Sequence, residues 1–249
     1  MDHLFKKNVL QTYSNIANHF ERTRYVPWPE MKWFSSVIPT GSTLADIGCG
    51  TGRNSIYLAS LGHHVHGLDV VPEMISIAHR RAEEEGLKST EFIMGDARNL
   101  PWGDAEMDAV VCIAAIHHIP GEVERMKAIQ ECWRIVRPGG KLLLSVWARE
   151  QERTKTFLPV EKDSIEGESA EGDYLVPWKR EIDKKVFYRY YHLYTREMFE
   201  NAAAVAVGEG IVFSHADNHQ LYAVKGGGAD IETIPGDIGG ENSVSIGKK

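Results

Sequence analysis

Three glycines and an acid crowd the stretch DIGCGTG at residues 46–52, where Asp46 is followed by Gly48, Gly50 and Gly52 at every second position. Glycine lets a backbone turn sharply and approach a ligand with no Cβ in the way. Residues 42–45 read as a buried strand end and residues 53–59 as the start of a helix. Strand, glycine turn and helix form the nucleotide-binding corner of an open α/β sheet, with free N–H groups at the helix start. The spacing is not the G-x-G-x-x-G of a dinucleotide site, which leaves the helix dipole to a pyrophosphate. A carboxylate two residues before the first glycine repels a pyrophosphate and suits a cationic or ammonium-bearing ligand. Two further acids close strand-like runs: Asp69 ends VHGLD, seventeen residues after Gly52, and Asp96 follows FIMG. An acid at the end of a second strand accepts hydrogen bonds from ribose hydroxyls. Any one of them alone is an ordinary turn residue; three in this order point to a ligand.

The elements that must position these residues are legible as alternating periods. Strands are expected at about 43–47, 64–68, 91–95, 108–113 and 141–147, separated by helices at about 53–61, 72–85 and 122–136. Alternation of this kind implies a parallel, doubly wound sheet. Ahead of it, residues 4–20 carry an apolar stripe at helical spacing. The segment ERTRYVPWP at 21–29 follows, its two prolines bracketing Trp28 and stopping the helix. This aromatic, arginine-bearing segment is a candidate lid over the ligand; the plainer alternative is packing with solvated arginines. Beyond the fifth strand, residues 150–185 lose clear period, and the expectation is a mobile insertion. Order returns at 186–194, Thr195 is placed to cap a helix, and residues 211–214 and 220–224 read as a closing hairpin. Residues 226–249 are polar and glycine-rich, and a disordered tail is expected there. The main domain thus spans 1–225.

A net charge of −7 argues against a nonspecific polyanion binder. A nucleic-acid substrate then requires a local basic patch or a partner that supplies one. The three cysteines, Cys49, Cys112 and Cys132, contain no C-x-x-C pair, so no metal site is expected. Free thiols suit a reducing compartment. The apolar runs are too short to span a bilayer. The expectation is a soluble cytoplasmic protein, with the nucleus as the alternative location.

The DIGCGTG stretch resembles motif I of the class I S-adenosylmethionine-dependent methyltransferases, and the RPGG turn at 137–140 before an apolar strand is common in them too. S-adenosylmethionine carries a sulfonium and an α-ammonium group, the cations that Asp46 suits. The resemblance implies an α/β fold with a doubly wound, mostly parallel, seven-stranded Rossmann-like sheet. It also implies a cofactor set of Asp46, Gly48, Gly50, Gly52, Asp69, Asp96, Ala97 and Ile113, with Asp96 meeting the exocyclic amine of adenine. The flanking segments are more specific. ERTRYVPWP (21–29), CIAAIHHI (112–119), SVWAREQE (145–152), LVPW (175–178) and YRYYHLY (188–194) together resemble the tRNA methyltransferases that esterify 5-carboxymethyluridine at the anticodon wobble position. The resemblance covers roughly residues 8–225. It implies a tRNA anticodon loop as substrate and a small zinc-binding activator subunit as heterodimer partner, which covers an apolar sheet edge and carries the zinc itself. One departure is visible: fungal relatives carry a longer, lysine-rich insertion where residues 150–171 here are balanced in charge.

The chemistry implied needs little from the protein beyond placement. A substrate carboxylate, with a pKa of about 4, is already ionised at neutral pH and needs no general base. It must be held in line with the methyl group and stripped of water. Arg24 and Arg189, each embedded in aromatic sequence, offer the planar fork that suits a carboxylate. His117 lies just past the fourth strand, and with His118 read as its neighbour on extended chain, one ring faces the substrate and the other packs; His117 is assigned to the substrate. Trp147 ends the fifth strand and could stack on uracil; plain core packing is the alternative. His192 completes the candidate set as a substrate-side or supporting residue. Two other functions stay open on the sequence: a small-molecule O- or C-methyltransferase, which the negative charge favours, and a noncatalytic cofactor-binding scaffold, which the intact acids disfavour.

Overall fold

The structure, a computed structural model, describes residues 9–160, 171–238 and 243–247. Five parallel strands form the centre: β1 (Thr43–Ile47), β2 (His64–Asp69), β3 (Thr90–Met94), β4 (Met107–Ile113) and β5 (Val136–Trp147). The innermost, β1 and β4, read TLADI and MDAVVCI. Near-continuous apolar sequence is what a strand covered on both faces requires, and Leu44, Ala45, Val110 and Val111 are fully buried. β9 (Gly210–His215) and β10 (Asn218–Val224) close the sheet as an antiparallel hairpin, with β10 laid against β5.

Among the described residues the helices α1 (Gln11–Thr23) and α2 (Glu30–Ser36) precede the sheet. The crossovers supply α3 (Arg53–Ser60), α4 (Pro72–Glu84) and α5 (Glu122–Ile135), and α6 (Arg196–Val207) precedes β9. One face of the sheet carries α1, α5 and α6, around Ile16, Ile129 and Phe199. The other carries α2 and α3, around Phe34, Leu58 and Phe213. Thr195 caps α6, its Oγ1 accepting from the Met198 amide at 3.2 Å, as its sequence position predicts. A separate small sheet of β6 (Leu158–Pro159), β7 (Asp173–Lys179) and β8 (Val186–His192) stands beside the turn that follows β4.

The fold expectation holds in class and departs in extent. Among the described residues the main sheet has eight strands, counting a last one, β11 (Val244–Ile246), in the order β11-β9-β10-β5-β4-β1-β2-β3, where seven were expected. The eighth, β11, comes from the stretch read as a disordered tail. It pairs with β9 and covers what would be an open edge. Ahead of it, Ile234 and Ile238 are buried in the α2 face, and the Trp33 indole donates to the Thr233 carbonyl at 2.5 Å. Disorder therefore does not describe those tail residues: a few isoleucines spaced among glycines suffice to dock a segment onto an existing core, a signal too sparse for periodicity. The expected mobile insertion is likewise structured at 152–156, at β6 and at β7; its residues 161–170, like the first turns of the expected helix at 4–20, lie outside the described residues. Among the described residues no helix is long and apolar enough to cross a membrane.

Candidate functional site

The turn after β1 is held from both sides. Gly48 and Cys49 donate to the Leu68 carbonyl at the end of β2, at 2.7 and 3.0 Å. The Gly50 amide donates to Asp69 Oδ2 at 2.9 Å, and the other oxygen of that carboxylate receives the Val71 amide at 2.9 Å. Gly48 and Gly50 take φ of +71° and +55°, the left-handed region that glycine enters without penalty. A Cβ on Gly48 would lie 2.3 Å from the Cβ of Ala115, whereas one on Gly50 would meet only Phe20 at 3.7 Å. The first glycine thus permits two loops to cross, and the second leaves its side open to the cleft. Asp69, Asp96, Ala97 and Ile113 line the same cleft with Gly48 and Gly50. Asp96 is gripped by Arg98 through 2.6 and 2.9 Å contacts, and the Arg98 guanidinium lowers the Asp96 pKa against the opposing effect of burial.

Two of the expected cofactor residues stand behind the wall. A Cβ on Gly52 would press on Ala78 and Phe92, so this glycine serves helix packing. Asp46 is 1% exposed and accepts the Ser55 hydroxyl at 2.5 Å, pinning α3 under the turn and leaving the cleft to others. Burial raises its pKa from 3.8 to about 6, with the Ser55 hydrogen bond and Arg53 opposing. The folded protein therefore holds this proton more tightly than the unfolded chain. Ionisation costs stability as pH rises from about 4 to about 6, by up to about 3 kcal/mol, and the cost is absent below about pH 4. Asp46→Asn removes the charge and keeps an acceptor for Ser55. Its stability relative to wild type, from urea unfolding, should be higher at pH 7 than at pH 4; an equal difference at both would contradict the shift.

At the other end of the cleft stand Arg24, Trp147 and Arg189, as expected, together with Tyr13, His118 and Tyr191. The guanidinium carbons of Arg24 and Arg189 both lie over the Trp178 ring, 5.2 and 4.8 Å from its centroid. Arg189 is 6% exposed and donates to the Tyr191 hydroxyl at 2.8 Å, while its Nε–H is buried without a partner. Arg24 donates to the carbonyl of Thr23, and its pKa is lowered by burial first and by Arg189 second. Among the described residues neither arginine has a carboxylate partner. Arg153 lies 4.2 Å from the Trp147 centroid, so a guanidinium already occupies a face of the ring expected to stack on a base.

The histidine assignments need correction. His118, not His117, lines the cleft; His117 is fully buried. Residues 116–118 form a 3-10 turn, where neighbouring side chains do not oppose as on a strand, and the two rings lie 4.6 Å apart. His117 stacks on Tyr191 at 4.6 Å and 23°, and its Nδ1 accepts the Trp147 amide at 3.2 Å. It supports the site from behind, and burial above all keeps it neutral by driving its pKa well down. His192 also lies off the cleft. On β8, Arg189 and Tyr191 share one face and Tyr190 and His192 the other. There His192 Nδ1 and the Tyr190 hydroxyl both donate to Asp173 Oδ1 at 2.7 Å. His192→Ala removes one of those donors from a buried carboxylate. It should cost about 1–3 kcal/mol of stability while the remaining folded protein keeps its cofactor affinity; a loss confined to affinity would return His192 to the site.

The residues that sequence reasoning missed are Tyr13, His118, Trp178 and Tyr191. Strand parity with Arg189 points to Tyr191. Tyr13 reads as core from its helical stripe, and nothing local to LVPW marks Trp178 as the ring beneath both arginines.

Comparison with known proteins agrees with this geometry. A methyltransferase domain pattern matches residues 45–144. A tRNA (carboxymethyluridine(34)-5-O)-methyltransferase of Arabidopsis thaliana is 39% identical over 150 residues, 60% of this chain and 35% of that protein. A Mus musculus protein of the same name is 34% identical over 70% of this chain and 26% of its own length. The chain thus spans about a third or less of these two relatives. The Schizosaccharomyces pombe protein of that name is 31% identical over 81% of this chain and 90% of its own length. Among solved structures, a SAM-dependent methyltransferase from Methanosarcina mazei has a TM-score of 0.62 at 22% identity, covering 80% of this chain and 98% of that one. A Haloferax volcanii methyltransferase, solved in complex with the Trm112 methyltransferase activator, has a TM-score of 0.63 at 16% identity, covering 89% of this chain and 99% of that one; both likenesses concern the fold. With identity sustained along nearly the whole S. pombe protein, on a fold whose cleft joins a glycine turn to two arginines that have no carboxylate partner among the described residues, this chain belongs to the family of tRNA (carboxymethyluridine(34)-5-O)-methyltransferases.

Proposed function

We propose that this chain esterifies the carboxylate of wobble 5-carboxymethyluridine in tRNA, giving 5-methoxycarbonylmethyluridine, with S-adenosylmethionine as methyl donor. The observation that carries the reading is the pair of guanidiniums, Arg24 and Arg189, over one indole at the far end of a cleft that begins at Gly50 and Asp69. The cofactor fits the near end: the side of Gly50 that stands open to the cleft and the Asp69 and Asp96 carboxylates are suited to its methionine, ribose and adenine parts respectively. When bound, it supplies a sulfonium-activated methyl group. The arginines orient the substrate carboxylate and, resting over Trp178 with Arg189 donating to the Tyr191 hydroxyl, leave it nucleophilic. Aromatic walls from Phe20, Trp147 and Tyr191 exclude water from that end.

A small zinc-binding activator subunit belongs to the proposal, placed at the edge of β3, the outermost strand among the described residues, where Met94 is 65% exposed. The Haloferax volcanii neighbour, solved with its activator, supports such a partner for this fold. The test is incubation of the purified chain, with and without an activator subunit, with methyl-labelled S-adenosylmethionine and tRNA carrying free carboxymethyluridine. Base-labile label on that nucleoside supports the reading. Unlabelled tRNA under both conditions overturns it, and turnover of small carboxylic acids without tRNA would favour a small-molecule enzyme.

A further inference from the structure

The segment between α1 and α2 carries Arg24 to one end of the cleft and Trp28 to the glycine-turn end. Its sequence, Arg24-Tyr25-Val26-Pro27-Trp28-Pro29, limits how it can run. Each proline biases the residue before it toward extended backbone, so Val26 and Trp28 have few alternatives. The segment is also clipped to its surroundings at three points. The Trp28 amide donates to Oδ1 of the buried Asn54 at 3.1 Å. The Arg53 guanidinium donates to the Val26 carbonyl at 3.4 Å and lies 4.9 Å from the Trp28 ring centroid. Arg81, buried and donating to the Thr51 carbonyl at 2.8 Å, holds its guanidinium carbon 5.5 Å from the centroid of the Tyr25 ring.

This scaffolding displays what it does not bury. Tyr25 is 67% exposed and Val26 71%, and Tyr25 is the most exposed aromatic side chain among the described residues. An aromatic ring kept in water on a segment already ordered has lost in advance the freedom that binding would otherwise take from it. The charge beside it indicates the ligand. Arg22, Arg24 and Arg53 stand on or next to the segment, and none of them has a carboxylate partner among the described residues. In a chain of net charge −7, three such guanidiniums around one exposed ring make a local basic patch with an aromatic at its centre. Single-stranded nucleic acid is held by that combination: cations on the phosphates and a ring against a base.

We propose that Tyr25 is a stacking platform for the nucleobase adjacent to the wobble uridine in the tRNA anticodon loop. The inference rests on the proposed function for the identity of the RNA. A carboxymethyl group enters the cleft toward Arg24 and Arg189 when its base leaves the loop's stack, and that uncovers a face of the neighbouring base. Tyr25 follows Arg24 directly in the chain, and its ring stands outside the cleft that Arg24 lines. The group that receives the carboxylate and the ring that receives the next base are thus one residue apart. The Arg81 guanidinium adds a cation–π contact that steadies the ring. The platform is sequence-tolerant, since every base has a π-face.

The test uses the full chain with its activator subunit, an anticodon stem-loop RNA carrying 5-carboxymethyluridine at the wobble position, and the same RNA made abasic at the 5′ or the 3′ neighbour of that uridine. Binding is read by fluorescence anisotropy of the end-labelled RNA, which needs no methyl transfer. Tyr25→Ala is expected to weaken binding of the intact RNA by roughly 5- to 100-fold, with thermal unfolding and S-adenosylmethionine affinity as in wild type. Tyr25→Phe and Tyr25→Trp, which keep a ring, should bind within about threefold of wild type. One of the two abasic RNAs should bind wild type as poorly as the intact RNA binds Tyr25→Ala, and should lose little more in Tyr25→Ala, because ring and base form one contact. Wild-type affinity in Tyr25→Ala, a Tyr25→Phe as poor as Tyr25→Ala, or losses that multiply with both abasic RNAs would overturn the platform. If this binding pattern appears and no methyl ester forms, the proposed function fails and the platform stands. If the ester forms and Tyr25→Ala binds and turns over as wild type does, the platform fails alone. RNA that does not bind wild type overturns both.

Discussion

An Arg189→Ala variant should lose roughly 10²- to 10³-fold in kcat/KM for carboxymethylated tRNA and bind S-adenosylmethionine within about twofold of wild type. The asymmetry follows from position. Arg189 stands at the end of the cleft away from the glycine turn, on a strand of the small sheet, and donates to the Tyr191 hydroxyl rather than to the turn. Its guanidinium is almost fully buried, with one N–H unpartnered and no carboxylate beside it among the described residues. A buried cation kept without a counterion is costly, and an anionic substrate group is what returns that cost. Arg24→Ala should act in the same sense and more weakly, because that side chain is partly open to solvent and its charge is better screened. Since both guanidiniums rest on Trp178, removing the two together should cost less than the product of the single losses. Arg189→Lys keeps the charge and loses the fork, so it should recover only part of the activity. Steady-state kinetics with tRNA, set beside calorimetric titration of the cofactor, separates the terms. Equal losses of cofactor affinity and turnover in Arg189→Ala would move this residue out of the substrate end altogether.

How much of this was legible beforehand depends on the range over which each signal acts. The glycine turn and the strand-end acids are local, and the turn, Asp69 and Asp96 lie where the spacing placed them. The facing of Arg189 and Arg24 toward one ring is a long-range fact: the residues come from α1's end, β7 and β8, and no periodicity links positions 24, 178 and 189. The histidine error has a sharper cause. Treating residues 117 and 118 as extended chain made their rings alternate, whereas a single 3-10 turn put both in one aromatic cluster and gave the cleft to His118. His192 was lost to parity, an argument available from YRYYHLY itself, since a strand that turns Arg189 to the cleft turns His192 away. The packed tail was illegible for a different reason. β11 has three residues and exists only because β9 offers it an edge, a tertiary fact that overrides a disordered-looking composition.

Gly48→Ala should abolish measurable cofactor binding, a loss of at least about 100-fold in affinity, and lower stability by about 2–4 kcal/mol. Two penalties add at this residue. The new methyl group would lie 2.3 Å from the Cβ of Ala115, well inside van der Waals contact. The backbone, at φ of +71°, is also one that alanine adopts only under strain. Neither loop can yield freely. The first is tied to Leu68 through Gly48 and Cys49, and the second runs directly into the 3-10 turn that carries His117 and His118. Displacing the first loop moves the Gly50 amide off Asp69; displacing the second moves His118. The two penalties can be separated by adding Ala115→Gly, which removes the opposing methyl and leaves the strain. The double variant should therefore regain most of the affinity lost in Gly48→Ala and fall short of wild type by about 1–2 kcal/mol of stability. Thermal unfolding and cofactor titration of the four proteins measure both terms. A double variant no better than Gly48→Ala would mean that backbone strain alone governs the turn, and that the close crossing with Ala115 does not hold the cleft's two ends in register.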